Sequence, residues 1–403
     1  MKNDIDRRKF LKLIGSGAAV SSLSQLPFTP AAYANQDLAN NKILVVLELS
    51  GGNDGLNTLV PYGDDAYYRH RPKIGIPEKK LRKIDDHFGF NPDMAGMEKL
   101  YKDGKMAIFH GCGYDQPSFS HFTSMAYWHT AAPNSGEALG WVGRLADAID
   151  PKRTPSYVVN VDETQSLAVV AREHVPVVFD DPKEFGRKGL FEAKQLLDLE
   201  RSASSKSTAS QRYLLDIAMS AKQASEKVRA ACSAYKTPVD YGIASLDLDK
   251  IAALIDANMS TRLYYTSFRH NAFDTHVQQP NLHQRLLTYF SDAVSGFFAD
   301  MERIGKADDV VMLVFSEFGR RVAENTNLGT DHGTANNMYL IGNAVQGGHY
   351  GQLPSLTDLD DGGNLVHTTD FRKVYATAIS GWLGLDDNEA VLKKRFDPFP
   401  VFI

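Results

Sequence analysis

The chain has 403 residues, 43% of them hydrophobic and 23% charged, an ordinary globular composition that excludes a disordered or collagen-like chain and supplies one large core. The formal net charge of −5 argues against nucleic acid or anionic lipid as the main partner, since both call for a basic face. Two cysteines, Cys112 and Cys232, offer at most one disulfide and no set that would hold an iron–sulfur cluster.

Residues 1–34 read as an export signal: Arg7-Arg8 in a charged segment, a weakly apolar stretch from Leu13 to Leu26, and small residues at Ala32 and Ala34. This is the pattern of a twin-arginine leader. The twin-arginine export machinery is therefore an expected partner, the expected location is periplasmic or extracellular, and residues 35–403 form the expected mature domain. Removing the leader takes away five basic and two acidic residues and moves the formal charge from −5 to −8. No later stretch has the roughly 18 consecutive apolar residues of a membrane span.

Ile43 to Leu49 is the first predicted strand, running into the glycine-rich loop Ser50-Gly51-Gly52-Asn53-Asp54-Gly55. Such a loop brings backbone amides and the Asp54 carboxylate to the strand end, but it lacks the lysine and glycine spacing of a nucleotide-binding loop. Met94 to Lys102 has helical spacing, and Met106 to His110 is a second strand. The segment to Ser118 and Ser120 then leads into a helix from His121 to His129. Ser120 at a helix start is either an N-cap or a nucleophile. Ser156–Val161 and Val175–Phe179 read as further strands. From about 181 to 258 the composition turns to Ala, Ser, Lys, Gln and Leu, which predicts a helical insertion. Thr261–Phe268 returns to strand and is followed by Asp274 and His276. A long amphipathic helix runs from Leu282 to Ile304. Val310 to Phe315 is a short strand apolar on both faces, followed by Glu317, Arg320, Asp331 and His332. A short strand at Met338–Ile341 and a helix at Phe371–Leu383 close the chain.

Alternating strands and helices, with polar clusters after the strands, predict a three-layer αβα fold on a mostly parallel sheet. In such a sheet the carboxyl ends share one edge. Asp54, Ser118, Ser120, Asp274, His276, Glu317, Asp331 and His332 are thereby expected to meet there although they span most of the sequence. Carboxylates and imidazoles suit one or two divalent ions, with Zn, Mn, Mg and Ca as candidates, and a hydroxyl beside such an ion loses its proton more readily. Glu48, one residue before the end of the first strand, is either a further ligand or a paired carboxylate. His110 and His121 are candidates to orient the nucleophile or act as acid, and Arg320 to bind an oxyanion.

Leu49-Ser50-Gly51-Gly52-Asn53-Asp54-Gly55-Leu56-Asn57-Thr58, Ser120-His121-Phe122, Phe273-Asp274-Thr275-His276, Ser316-Glu317-Phe318-Gly319-Arg320 and Gly329-Thr330-Asp331-His332-Gly333 resemble the motifs of the exported domain of unknown function 1501 family. That family is similar to the alkaline phosphatase and sulfatase superfamily. The resemblance implies an alkaline-phosphatase-like fold and a metal-dependent hydrolase of phosphate or sulfate esters acting through a covalent intermediate. Carried over, Ser120 would be the nucleophile with Ser118 behind it, and Asp54 the ligand from the first strand. Asp274 and His276 would hold one metal, and Asp331 and His332 the other. Glu317 takes the place of the Asp in an alternative alignment, and His349 or His367 would supply a last imidazole. The other reading is a non-catalytic protein on this scaffold that binds a polysaccharide or a partner protein in the periplasm or at the cell surface.

Overall fold

The computed structural model describes residues 41–185, 208 and 224–402. The leader, and residues 186–207 and 209–223 of the expected helical insertion, lie outside the described residues. Within the remainder of that stretch, residues 224–234 and Leu248–Asp256 are helical.

Nine strands form the main sheet: β1 (Ile43–Leu49), β2 (Met106–Gly113), β3 (Val158–Val161), β4 (Val177–Phe179), β5 (Leu263–Phe268), β6 (Val310–Phe315), β7 (Asn336–Ile341), β8 (Gly348–Tyr350) and β9 (Thr369–Asp370). Their order is β8-β2-β7-β6-β1-β5-β3-β4, with β9 also paired to β2. All pairings are parallel except those of β7, which runs antiparallel to both β2 and β6. The principal helices are α1 (Ala95–Lys102), α2 (His121–Thr130), α3 (Trp141–Ile149), α4 (Leu248–Asp256), α5 (Gln279–Arg303) and α6 (Phe371–Ala376).

The pleat sends alternate residues of each central strand to opposite faces, and both faces are covered. Val45, Leu47 and Leu49 of β1 and Val310, Met312 and Val314 of β6 pack with Met97 of α1, Ile251 of α4 and Phe290, Val294 and Phe297 of α5. Leu44, Val46, Val311, Leu313 and Phe315 face the other way, onto Trp128 of α2, Trp141 and Leu145 of α3, and Phe371 and Tyr375 of α6. The expected three-layer arrangement is therefore present. Glu48, which the alternation turns to the second face, is buried against His129 Nε2 at 2.7 Å and the Tyr265 hydroxyl. It is a paired carboxylate within a helix layer.

Some element bounds differ from the sequence reading. β2 continues past His110 to Gly113 because Asn336 of β7 and Thr369 of β9 pair with Cys112. The closing helix is α-helical only to Ala376 and continues as a π-helical turn, Thr377–Trp382. Both thiols are free, with Cys112 buried. The reversed strand β7 matters most for the site. Its amino end shares an edge with the carboxyl ends of β1 and β6, and there the Asn336 amide donates to Asn53 O at 2.9 Å and Phe318 O at 3.0 Å.

Candidate functional site

The loops at this edge are drawn together by close backbone approach. Gly51 has a φ of +113°, and a Cβ there would lie 2.6 Å from the Asp274 backbone nitrogen. Only glycine fits, and its N–H donates to both oxygens of Glu317, at 2.8 and 3.1 Å. Gly52 is equally constrained, since a Cβ would meet the Phe318 ring at 2.2 Å. Arg320, buried, ties the same loops from beneath. Its nitrogens donate to the carbonyls of Gly51, Gly52, Phe273 and Thr330 and, at 2.8 Å, to Asp274 Oδ1.

Three imidazoles surround Asp274. His121 Nε2 lies 3.3 Å from Oδ2, while His276 Nε2 and His332 Nε2 lie 3.0 and 3.1 Å from Oδ1. The two latter nitrogens are 2.9 Å apart. The opposite nitrogen of each ring faces an oxygen acceptor: His121 Nδ1 meets Glu317 Oε1 at 2.8 Å, His332 Nδ1 meets Phe119 O at 2.7 Å, and His276 Nδ1 meets Asp331 Oδ1 at 3.4 Å. Each ring thus has an oxygen acceptor on both sides, which fixes its orientation and leaves the Nε2 side to either a proton or a cation bound at Asp274. Three Nε2 atoms converge on the Asp274 carboxylate, beside the Arg320 guanidinium.

The electrostatics agree. Burial alone would raise the Asp274 pKa, but the hydrogen bonds from Arg320 and His332 hold it at about 2. The Glu317 carboxylate raises the pKa of His121, while burial lowers that of His332. His121 Nε2 is itself buried without a hydrogen-bond partner. Its proton at that position and a divalent ion are alternatives for the same place. Among the described residues, one group offers ligand atoms all within 4.8 Å of one another: His121, Asp274 and His332. A hard or borderline divalent ion fits two imidazoles and a carboxylate whose rings are each fixed from behind by an acceptor.

The family model described as Protein of unknown function (DUF1501) matches residues 41–396, which span every loop of this edge. The chain belongs to the DUF1501 family. A search of the curated proteins finds no match. Among solved structures, this DUF1501 protein is similar to a protein in the alkaline phosphatase superfamily from Vibrio parahaemolyticus, at 12% identity and a TM-score of 0.43, over 98% of this chain and 80% of that one. It is also similar to a lipoteichoic acid synthase from Listeria monocytogenes, at 9% identity and a TM-score of 0.44, over 89% and 76% of the two chains. A sulfatase from Pseudoalteromonas sp. is similar at 13% identity and a TM-score of 0.39, over 89% and 71%.

The remaining candidate residues of the DUF1501 chain are placed unequally. Asp54 is apart from the cluster: its Oδ2 pairs with Arg71 at 2.7 Å and accepts from the Gln279 amide, fully buried. Burial pushes its pKa up, but Arg71, together with His283 and the Gln279 hydrogen bond, brings it below the ordinary value. Glu317 stands behind His121 and offers its oxygens to Gly51 and that ring. Arg320 is occupied by carbonyls and Asp274, which leaves it little to offer a substrate oxyanion. Asp331 lies on the outer side of His276, half exposed, and accepts from Asn325 at 3.2 Å. Ser120 is exposed at the N-cap of α2 with no side-chain cap bond, and its backbone nitrogen donates to Ser118 Oγ at 3.3 Å. His349 and His367 are engaged elsewhere, with His110 and Asp115. The sequence reading did not find Arg71, Gln279 or the Phe119 carbonyl, none of which sits in a recognisable motif. It assigned Glu317 and Asp54 by position after a strand, a signal that cannot tell an outward carboxylate from a buried one.

Proposed function

We propose that His121, Asp274 and His332 hold a single divalent cation and that the protein is a hydrolase of phosphate or sulfate esters exported by the twin-arginine route. The observation that carries this reading is the set of imidazoles with Nδ1 anchored and Nε2 aimed at one carboxylate. A bound divalent ion would favour ionisation of a neighbouring hydroxyl and stabilise charge on an ester oxygen. The chain's own residues supply the rest. Ser120 adjoins His121 in sequence, its hydroxyl is not used as a cap, and it stands at the amino end of α2, where unpaired N–H groups favour an anion. Its Oγ attacks phosphorus or sulfur and the ester oxygen leaves. His276, steered by Asp331 and reaching solvent, carries the proton at Nε2 from the hydroxyl to that oxygen. Water then cleaves the seryl ester and restores Ser120. Glu317 keeps His121 in place throughout.

A second reading, a non-catalytic binding protein at the cell surface or in the periplasm, draws on Asp54, Glu317 and Arg320 being held by internal contacts. Elemental analysis of protein purified without chelator, joined to a screen of aryl phosphate and sulfate esters, separates the two. The hydrolase reading expects a stoichiometric divalent ion, ester cleavage, loss of both in Asp274→Ala, and loss of cleavage alone in Ser120→Ala. Metal-free, folded and inactive protein would overturn it.

A further inference from the structure

Arg320 also lines a cavity of about 260 Å³ whose walls are Leu56, Leu59, Phe88, Leu353, Leu356 and Leu365, with Asp64, His87, His110, Asn336, Asn337 and Ser355 among its polar members. None of the cation cluster's imidazoles lines it. One wall is flat. The Phe88 ring stacks on His110 with centroids 5.0 Å apart and planes within 24°, and His110 lies within 10° of the plane of His349.

This wall is also neutral by construction. Asp85 Oδ2 sits 3.0 Å from His349 Nε2, and on its other side His349 Nδ1 shares one proton with His110 Nε2 at 2.7 Å. The His110 ring is also hydrogen-bonded with the Asn337 side chain. Burial holds His110 uncharged, its pKa pushed down to about 3. The Asp64 carboxylate at the rim accepts from Ala66 N at 2.8 Å as a helix cap, and the Arg320 donors are already on carbonyls and Asp274. An anionic guest therefore finds no free guanidinium and meets Asp64 at the rim, while a cation finds only that one carboxylate in return for its hydration. A planar apolar guest, in contrast, matches the leucine walls and the ring face. An apolar cavity of about 150 Å³ takes a benzene ring, so this one accommodates a ring with a few further atoms.

We infer that the cavity is a binding site for an uncharged single-ring aromatic molecule carrying one hydroxyl or amide group, distinct from the cation cluster. The polar group of the guest meets the Asn337 and Ser355 side, and the ring lies against His110 and the leucines. The inference does not depend on the hydrolase reading.

Isothermal titration of 4-methylphenol, and of 4-methylcyclohexanol as a non-planar match, into the full chain tests it. The expected result is saturable binding of the phenol, about tenfold or more tighter than the saturated alcohol. Leu353 is 44% exposed at the cavity mouth, so Leu353→Trp should leave the melting temperature unchanged and weaken phenol binding by about tenfold or more. Asp274→Ala should leave it intact. Absence of saturable binding, equal affinity for both probes, or insensitivity to Leu353→Trp would overturn the site. Loss of phenol binding in Asp274→Ala would transfer it to the cluster and overturn its independence.

Discussion

Two carboxylates stand at the same sheet edge and have opposite surroundings. Asp54 is sealed in the interior, its charge answered by Arg71 and its Oδ2 further bonded by Gln279. Asp274 is about one-third exposed and is answered by one guanidinium and three imidazole nitrogens. The difference teaches that an acidic residue past a strand end is structural when it is sealed in the interior together with its countercharge. It is open to a ligand when the carboxylate stays partly exposed and imidazole nitrogens gather beside it.

Breaking the closed member should give the largest effect. Asp54→Ala strands a buried guanidinium and is expected to lower stability by about 3–5 kcal/mol, read from urea unfolding. An unchanged midpoint would mean that Arg71 finds another partner and that the contrast is false. Breaking the open member should act on ligand, not on fold: Asp274→Ala is expected to remove bound divalent metal below detection in elemental analysis while urea unfolding of the metal-free forms stays close to wild type. Glu317→Gln keeps the shape but weakens the acceptor behind His121, so metal affinity should fall by about 10–100-fold in a competitive chelator titration. The smallest effect tests the closed type with an imidazole far from the edge. Burial opposes charging of His174, but Asp147 at 2.9 Å and Asp150 at 3.2 Å raise its pKa. A raised folded pKa stabilises the protein below the unfolded value of about 6.5, and this is lost as pH rises through the folded pKa. The melting-temperature gap between wild type and His174→Gln should therefore be widest near pH 6 and narrow toward pH 9.

The sheet was legible because its central strands are apolar on both faces. Val310–Phe315 and Ile43–Leu49 leave no other element of that length, and Gln279–Arg303 shows its stripe over seven turns. The antiparallel direction of Asn336–Ile341 was not legible, since a short apolar run carries no sign of its direction. The meeting of Asp274, His276 and His332 follows from strand ends sharing an edge, a topological consequence available from sequence. Whether a carboxylate at that edge faces outward is a matter of a few ångströms. Asp54 turns inward because Arg71, just past the end of the short helix Asp65–His70, fills the space beneath it. Glu317 turns toward Gly51 because a glycine with positive φ points an N–H there. Ser120 and His121, adjacent in sequence, were read as nucleophile and helper, and the structure adds that the ring belongs to the cluster itself.

Arg320 joins backbone from three separate segments, 51–52, 273 and 330, and the Asp274 carboxylate. A side chain shared in this way makes the three loops a single opening unit: none can leave while the others keep their bonds, so local unfolding of the edge is all-or-none. The amides of Gly51, Asp274 and Thr330 should accordingly exchange with deuterium at one common rate, and Arg320→Lys, which cannot hold the fork, should split that rate into several. The precision of the cluster then rests less on any ligand than on one guanidinium that never needs to touch a substrate.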